Sequence, residues 1–380
     1  MDFSFTEEQE LTRKMVREFA EAEIAPHSAR LDEEQEFPFE IFRKLGELGL
    51  TGVIFPPEYG GAGLATVEYA IVVEEIARVD PGVALSVAAH NSLAGNHIYL
   101  AGTEEQKRKY LVPLAKGEKI GTWSLTEPTA GSDAGGTKTK AEKDGDHFVL
   151  NGSKTFATHG SVADIAIVFG VTDPAAKHRG ISAFILEKGM AGFRPGKKEN
   201  KMGCRASDTA ELAMEDCRVP RSQLLGREGE GFRDAMRVLD GGRISIAAMA
   251  VGTAQGALEA AVKYARQRQQ FGRAIAEFQA IQFLLADCAT EIEAARWLTL
   301  RAAHMKDQGQ DVNKAGAIAK LYASETAVRV TDKAIQIHGG YGYMKEYPVE
   351  KFHRDAKLTT IGEGTSEIQR LVIARRLLES

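Results

Sequence analysis

The chain has 380 residues but only three cysteines, Cys204, Cys217 and Cys288, and no C-x-x-C pair. That spacing excludes a disulfide framework and a cysteine-based zinc site. The nine histidines show no metal-ligand spacing. His90 and His97 share a helix face without a carboxylate partner and read as packing or pocket residues. No apolar run approaches the roughly 20 residues that span a bilayer. A strong charge of one sign is also missing: the formal net charge is -5 with both signs mixed. This argues against a nucleic-acid partner and against binding to an anionic membrane. The N-terminus, Met1-Asp2-Phe3-Ser4-Phe5-Thr6-Glu7-Glu8, is acidic and lacks signal or transit character. It implies a cytoplasmic protein, or a mature mitochondrial-matrix form whose address has been removed. There are no internal repeats and no low-complexity tail.

What is present suits a packed protein. Hydrophobic residues make up 43% and charged residues 27%, and the length allows two or three modules. The pattern predicts a mostly α protein with a central β-domain. Residues 1–118 read as an all-helical N-terminal domain. Thr6 and Gln9 form a capping box ahead of a stripe of Leu11, Met15, Phe19 and Ala22. A short helix from Pro38 to Leu48 closes at Gly49, Asp80-Pro81-Gly82 separates two Ala/Val/Ile-rich helices, and Gly102-Thr103-Glu104 starts another. Residues 119–227 switch to period two, with hairpin turns expected at Asp144-Gly145 and Asn151-Gly152. A small barrel or sandwich is expected there, not a parallel sheet. Residues 228–380 return to long helices, which pack as a four-helix bundle. Gly61-Ala62-Gly63 imitates a dinucleotide fingerprint, but it follows a turn and lacks a βαβ setting.

Five stretches carry potential chemistry. Glu363 sits between Gly362 and Gly364, just before a helix that Ser366 can cap with Gln369 reaching back. Ile368, Leu371, Val372 and Leu378 predict a buried face for that helix. Glu363 is then either a desolvated general base or a carboxylate favoured by the helix dipole. Trp123 to Gly136 is a strand running into a Pro/Gly-rich loop with free N–H groups and hydroxyls, either an anion or ring-edge cradle or a plain turn. Leu239-Asp240-Gly241-Gly242-Arg243 puts two glycines inside a long helix, at a cost of about 2 kcal/mol against alanine. Asp240 and Arg243 share a face there, as ligand contacts or as a surface ion pair. Arg266 to Arg273 is a basic cluster at a helix end, suited to phosphate or simply solvated. Gln336-Ile337-His338-Gly339-Gly340 ends a helix with more glycine than a cap needs.

Taken in this order, the stretches resemble the acyl-CoA dehydrogenase family over essentially the whole chain. Thr126-Glu127-Pro128 through Gly131-Ser132-Asp133, Arg268-x-x-Phe271-Gly272, Gln336-Ile337-x-Gly339-Gly340 and Glu363-Gly364-Thr365 carry the likeness jointly. The resemblance implies FAD between the β-domain and the bundle. Trp123, Leu125, Thr126, Gly131 and Ser132 would line the flavin, with Ser132 also near the thioester. Phe156 and Thr158 would flank the ring. Arg268, Phe271, Gln279, Gln336, Gly339 and Gly340 would hold the ADP half of a neighbouring subunit's FAD, and Thr365 and Glu367 would touch the cofactor beside the base. Asp240, Arg243 and Gly364 would contact the acyl-CoA.

The family places its catalytic glutamate at one of two positions, that of Glu363 or that of Gly242, and here only the first carries the acid. The implied reaction is α,β-dehydrogenation of a short- or medium-chain acyl-CoA. Glu363 would take the α-proton while the β-hydrogen leaves as hydride to the flavin, with the Glu363 N–H and a flavin ribityl hydroxyl supporting the enolate. Electrons would pass to an electron-transferring flavoprotein, as in fatty-acid β-oxidation, and a homotetramer is expected. Phe156-Ala157-Thr158-His159 departs from the Trp-Ile-Thr-Asn common in relatives and bears on acceptor choice and oxygen reactivity. The alternatives are an oxygen-using acyl-CoA oxidase or flavin monooxygenase, and a non-catalytic FAD-binding subunit.

Overall fold

The computed structural model describes residues 4–379; of the acidic N-terminal stretch, Met1 to Phe3 lie outside them. Thr6 caps α1 (Glu7–Phe19) with the reciprocal Gln9 bond of a capping box. The buried stripe of α1 is Thr12 and Val16, continuing to Ala20; Met15 and Phe19 flank it. Leu11 and Ala22 point outward, so the expected stripe is rotated by about one residue. Then come α2 (Ser28–Glu34), α3 (Phe39–Glu47) and α4 (Thr66–Ala77). The Gly61–Gly63 stretch is a turn, where a Cβ on Gly61 would lie 2.1 Å from the Phe55 carbonyl. Asp80 caps α5 (Pro81–Ala89), and a π-helical turn over His90–Gly95 joins it to α6 (Asn96–Ala101). A capping box of Thr103 and Gln106 opens α7 (Glu104–Gln106), and α8 (Val112–Ala115) follows.

Eight strands then form one connected sheet: β1 (Gly121–Ser124), β2 (Lys140–Asp144), β3 (His147–Thr158), β4 (Ile165–Val171), β5 (Ile181–Glu187), β6 (Phe193–Lys198), β7 (Thr209–Pro220) and β8 (Leu224–Leu225). The order is β6-β7-β3-β2-β4-β5-β8, with β1 beside β4. Most pairs are antiparallel, but β1 runs parallel to β4, from Gly121 opposite Ile165 to Ser124 opposite Val168. β2 and β4 share a single parallel pair, Lys140 with Val171, and the sheet folds over there. Ala166, Val168, Phe184 and Leu186 then face Phe148, Leu150, Leu212 and Met214 in a sandwich core. The alternate residues Ile165, Ile167, Ala183 and Ile185 face the helices through Leu111, Leu114 and Ala235. Period two thus buries both faces of β4 and β5. Asn151-Gly152 is not a turn. It lies inside β3 at a bulge, where Gly152 leaves room for Thr139.

The last third holds α9 (Gly231–Gln267), a tight hairpin of β9 (Gln269–Gln270) and β10 (Arg273–Ala274), α10 (Gln279–Asp307), α11 (Asn313–His338), α12 (Val349–Thr359) and α13 (Ser366–Leu378). The bundle is α9 to α12. Its fourth member, α12, is too short to stand out in the sequence, and α13 packs outside on α11. α9 has the length and apolar content of a membrane span, but 78% of its apolar window is buried, as a core helix. Gly252 and Gly256 let it approach α4 so closely that a Cβ would meet the Glu74 and Arg78 carbonyls at 2.1 and 2.2 Å. Consequently Val72, Val73 and Ile76 share one core with Ile244, Met249 and Ala302. The N-terminal helices and the bundle are therefore packed as one body.

A buried ionic cluster ties the same parts together. Lys351 on α12 bridges Asp80 at 3.1 Å and Asp355 at 2.8 Å, both carboxylates being inaccessible to solvent. Asp355 also accepts from the Cys204 N–H of the β-domain, and Arg354 pairs with Asp32 at 2.7 Å. Removing one partner of such a cluster leaves a buried charge uncompensated. Lys351→Met should therefore lower stability by about 3–5 kcal/mol, read as a fall in the urea midpoint. An unchanged midpoint would show that the cluster carries no net stability.

Candidate active site

Three parts of the chain converge on Glu363. α12 ends at Thr359, and the chain turns back through Gly362, Glu363 and Gly364 into α13. The cap of α13 is Thr365, whose hydroxyl accepts from the Ile368 N–H at 3.3 Å, not Ser366. Gln369 does reach back, but its amide donates to the carbonyls of Gly364 at 3.0 Å and Glu363 at 3.3 Å. The capping role falls one residue earlier because the chain needs Glu363 in the left-handed region, with φ +53°. The predicted buried face of α13 is also displaced. Only Ser366 and Gln369 are buried, while Leu371 and Leu378 are 61% and 88% exposed.

The carboxyl of Glu363 lies against α9. A Cβ placed on Gly242 would meet its Oε2 at 2.0 Å, so that glycine is the hole the carboxyl occupies. Neighbouring Gly241 makes the same kind of room for the Lys306 ammonium. Oε2 is sealed from solvent and has no hydrogen-bond partner. Burial pushes the Glu363 carboxyl up to about 7, against the opposing pull of Lys320 and Arg243. Among the described residues the Glu363 N–H finds no acceptor. Arg243 is buried and pairs with Asp240 at 2.7 Å; Asn313 donates to the same Asp240 oxygen at 2.8 Å. The pair is thus not a surface salt bridge, and the Arg243 Nε remains unpartnered. Thr365 is used as a cap, and Glu367 is exposed on the first turn of α13.

On the β-domain side, β1 and β3 end together. Thr122 donates to the Thr158 carbonyl at 2.6 Å, and the Thr155 N–H to the Thr126 carbonyl at 2.9 Å. A bulge between Lys154 and Ala157 turns Phe156 into the left-handed region and leaves it 66% exposed. Trp123 is half-buried, edge-on to Phe169, and donates from its indole to His97 at 3.1 Å. Leu125 is buried, and Thr126 is partly exposed. Glu127 anchors the following loop. It accepts from the Lys138 and Thr139 N–H groups, the Thr139 hydroxyl and Lys154, the last at 2.6 Å. Gly131 and Ser132 are exposed, and nothing lies within 4 Å of a Cβ on Gly131. His90 bonds the Leu114 carbonyl and the Gly121 N–H, so both histidines serve packing in the wall of this region.

The remaining predicted residues lie elsewhere. Arg268 ends α9, and about 39 Å of helix separates it from Gly242 at about 1.5 Å per residue. There a groove of about 770 Å³ is lined by Arg268, Phe271, His338, Gly339, Gly340 and Tyr341, among others. Phe271 and Gly272 both have positive φ at the hairpin tip, and Phe271 is 94% exposed. Gly339 and Gly340 have nothing within 4 Å of a Cβ. Gln279 and Gln336 are exposed but do not line the groove. The sequence reading missed Lys320. Its one signal was a lone lysine in the small-residue run Ala315-Gly316-Ala317-Ile318-Ala319.

Three family models match: the acyl-CoA dehydrogenase N-terminal domain over residues 6–118, the middle domain over 122–217 and the C-terminal domain over 229–378. The chain is 52% identical to a short-chain specific acyl-CoA dehydrogenase of Clostridium acetobutylicum, over 99% of this chain and 100% of that one. It superposes with TM-score 0.99 and 51% identity on a chain solved in work on the electron transferring flavoprotein of Acidaminococcus fermentans. Butyryl-CoA dehydrogenase from Megasphaera elsdenii gives 0.97 and 48%; both structures cover 100% of each chain. With all three models matched in order and half the residues shared end to end, the chain belongs to the acyl-CoA dehydrogenase family.

Proposed function

We propose that this chain is an FAD-dependent dehydrogenase of short-chain acyl-CoA thioesters, with Glu363 as the base that removes the α-proton. The observation that carries this reading is the Glu363 carboxyl seated in the gap at Gly242, with its Oε2 sealed from solvent and, among the described residues, without a hydrogen-bond partner. A carboxyl raised to about 7 is half ionised near neutral pH and strong enough to accept a carbon-bound proton. The unused Glu363 N–H can donate to the thioester oxygen as charge develops there, an interaction worth roughly 3–4 kcal/mol. Arg243, with one free N–H, and Asp240 would hold the CoA portion where α9 passes the base.

FAD, when bound, supplies the hydride acceptor. The residues present fit it. The loop from Thr126 to Ser132, held by Glu127, offers N–H groups and hydroxyls to a ring edge, and the open side of Gly131 admits a flat group. Phe156, Thr158 and Trp123 would flank the ring. The groove at Arg268 and Gly339-Gly340 suits a diphosphate and adenine. Because it lies about 39 Å along α9 from the base, it would serve the FAD of a second copy. Exposed Phe271, Leu371 and Leu378 support such an assembly, which we propose is a homotetramer. Electrons would leave to an electron-transferring flavoprotein, in keeping with fatty-acid β-oxidation.

Anaerobic addition of butyryl-CoA should bleach the yellow holoprotein. Glu363→Gln should retain FAD and slow bleaching at least 1,000-fold, within the range of general base catalysis, about 10²–10⁴-fold. Wild-type bleaching in the variant would exclude Glu363 as the base. The raised pKa has a stability consequence too. The folded carboxyl holds its proton to about pH 7, whereas the unfolded one releases it near 4.5. The contribution of Glu363 to stability therefore falls as pH rises through that window. The Tm of Glu363→Gln relative to wild type should grow from pH 5 to pH 8, and a gap independent of pH would contradict the burial. By light scattering the protein should run as a tetramer, and Leu371→Glu with Leu378→Glu should yield smaller species. Tetramers from the double variant would place the interface elsewhere.

A further inference from the structure

Lys320 on α11 has no solvent exposure. Among the described residues it forms no ion pair, and its ammonium donates to the Gly364 carbonyl at 2.7 Å. Its neighbours in the helix are the buried Ala317, Ala319, Ala323 and Ser324. A sealed cation with one carbonyl contact is costly and calls for an opposite charge nearby. The carboxyl that faces it is Glu363. From α9, Arg243 faces both groups, but its charge is already engaged by Asp240 at 2.7 Å. Tyr69 faces Glu363 from α4 and donates its hydroxyl to the Ala88 carbonyl, while Glu367 faces Lys320 from the exposed start of α13.

The carbonyl that Lys320 holds is decisive for the loop. Glu363 and Gly364 have φ of +53° and +99°, successive residues in a region that a glutamate adopts only under constraint. The Gly364 carbonyl is gripped from two sides, by Lys320 and by Gln369. Turning that peptide would swing the Glu363 carboxyl away from Gly242. Resting on the reading of Glu363 as the base, we propose that Lys320 is its positioning residue: the ammonium clamps the Gly364 carbonyl so that the carboxyl is turned onto α9. Its unspent charge has a second effect. It favours the carboxylate over the acid and so offsets part of the burial, which itself lowers the Lys320 ammonium to about 8.

The two roles separate in two variants. Lys320→Gln keeps a donor and removes the charge, and Lys320→Met removes both. Two readouts are followed against pH in the FAD-loaded protein: the infrared C=O band of the protonated carboxyl, assigned by its loss in Glu363→Gln, and the rate of anaerobic bleaching by butyryl-CoA. Both variants should move both midpoints upward by about one pH unit. Lys320→Met should also lower the high-pH plateau about tenfold, while Lys320→Gln keeps it within about threefold. If Lys320→Met fails to retain FAD, the clamp is read from Lys320→Ala against Lys320→Gln. Midpoints equal to wild type, or a Lys320→Met plateau no lower than that of Lys320→Gln, overturn the proposal while leaving the base in place, provided Glu363→Gln is inactive. Bleaching by Glu363→Gln would instead remove the base reading on which it rests.

Discussion

The contact between the Glu363 carboxyl and the missing side chain of Gly242 is the constraint around which this structure is arranged. A glycine in the middle of α9 weakens the helix. Here it opens the space in which that carboxyl sits, since a Cβ would stand 2.0 Å from Oε2. The carboxyl sits there with a left-handed backbone at Glu363, and the Gly364 carbonyl beside it is held by Lys320 and Gln369. Each step costs free energy locally. Together they yield an acid with one oxygen sealed from water and a pKa raised to about 7, half ionised near neutral pH.

The surrounding packing explains why such a site stays in place. α9 carries Gly242 and also the glycines that bring α4 within contact of its backbone. α12, which leads into the Glu363 turn, is pinned to α5 by Lys351 and Asp80, and to the β-domain by Asp355 and the Cys204 N–H. Glu363 is thus suspended from elements tied to one another by close packing and buried charge. On the opposite wall, the Glu127–Lys154 pair fixes the loop that follows β1. Loops carry the chemistry, and buried charges hold the loops.

Much of this was legible in the sequence where the signal is local. The capping box at Thr6, the helix start at Thr103, the break at Asp80 and the period-two strands all stand where short-range rules put them. Glu363 and the vacant Gly242 were paired through family likeness; their contact spans the chain and no periodicity encodes it. The misreadings have physical causes. Asn151-Gly152 has the composition of a turn, but pairing with β7 across a bulge keeps it in a strand. Ser366 is a good cap by type, but the φ needed at Glu363 shifts the cap to Thr365. The apolar residues of α13 were read as core, and in a single chain they face outward. Lys320 drew no notice because its meaning depends on a carbonyl 44 positions away. For Asn151-Gly152 and for Lys320 a long-range partner overrode the local preference.

The account is tested most directly by filling the gap. Alanine favours the interior of a helix over glycine by about 1 kcal/mol, so Gly242→Ala would ordinarily be harmless. Its methyl group must displace the Glu363 carboxyl, and a misplacement of about 1 Å can cost 100-fold in rate. We predict that the FAD-loaded Gly242→Ala protein is bleached by butyryl-CoA at least 100-fold more slowly than wild type, with its cofactor retained. Bleaching at the wild-type rate would mean that the carboxyl does not work from the place where the structure holds it.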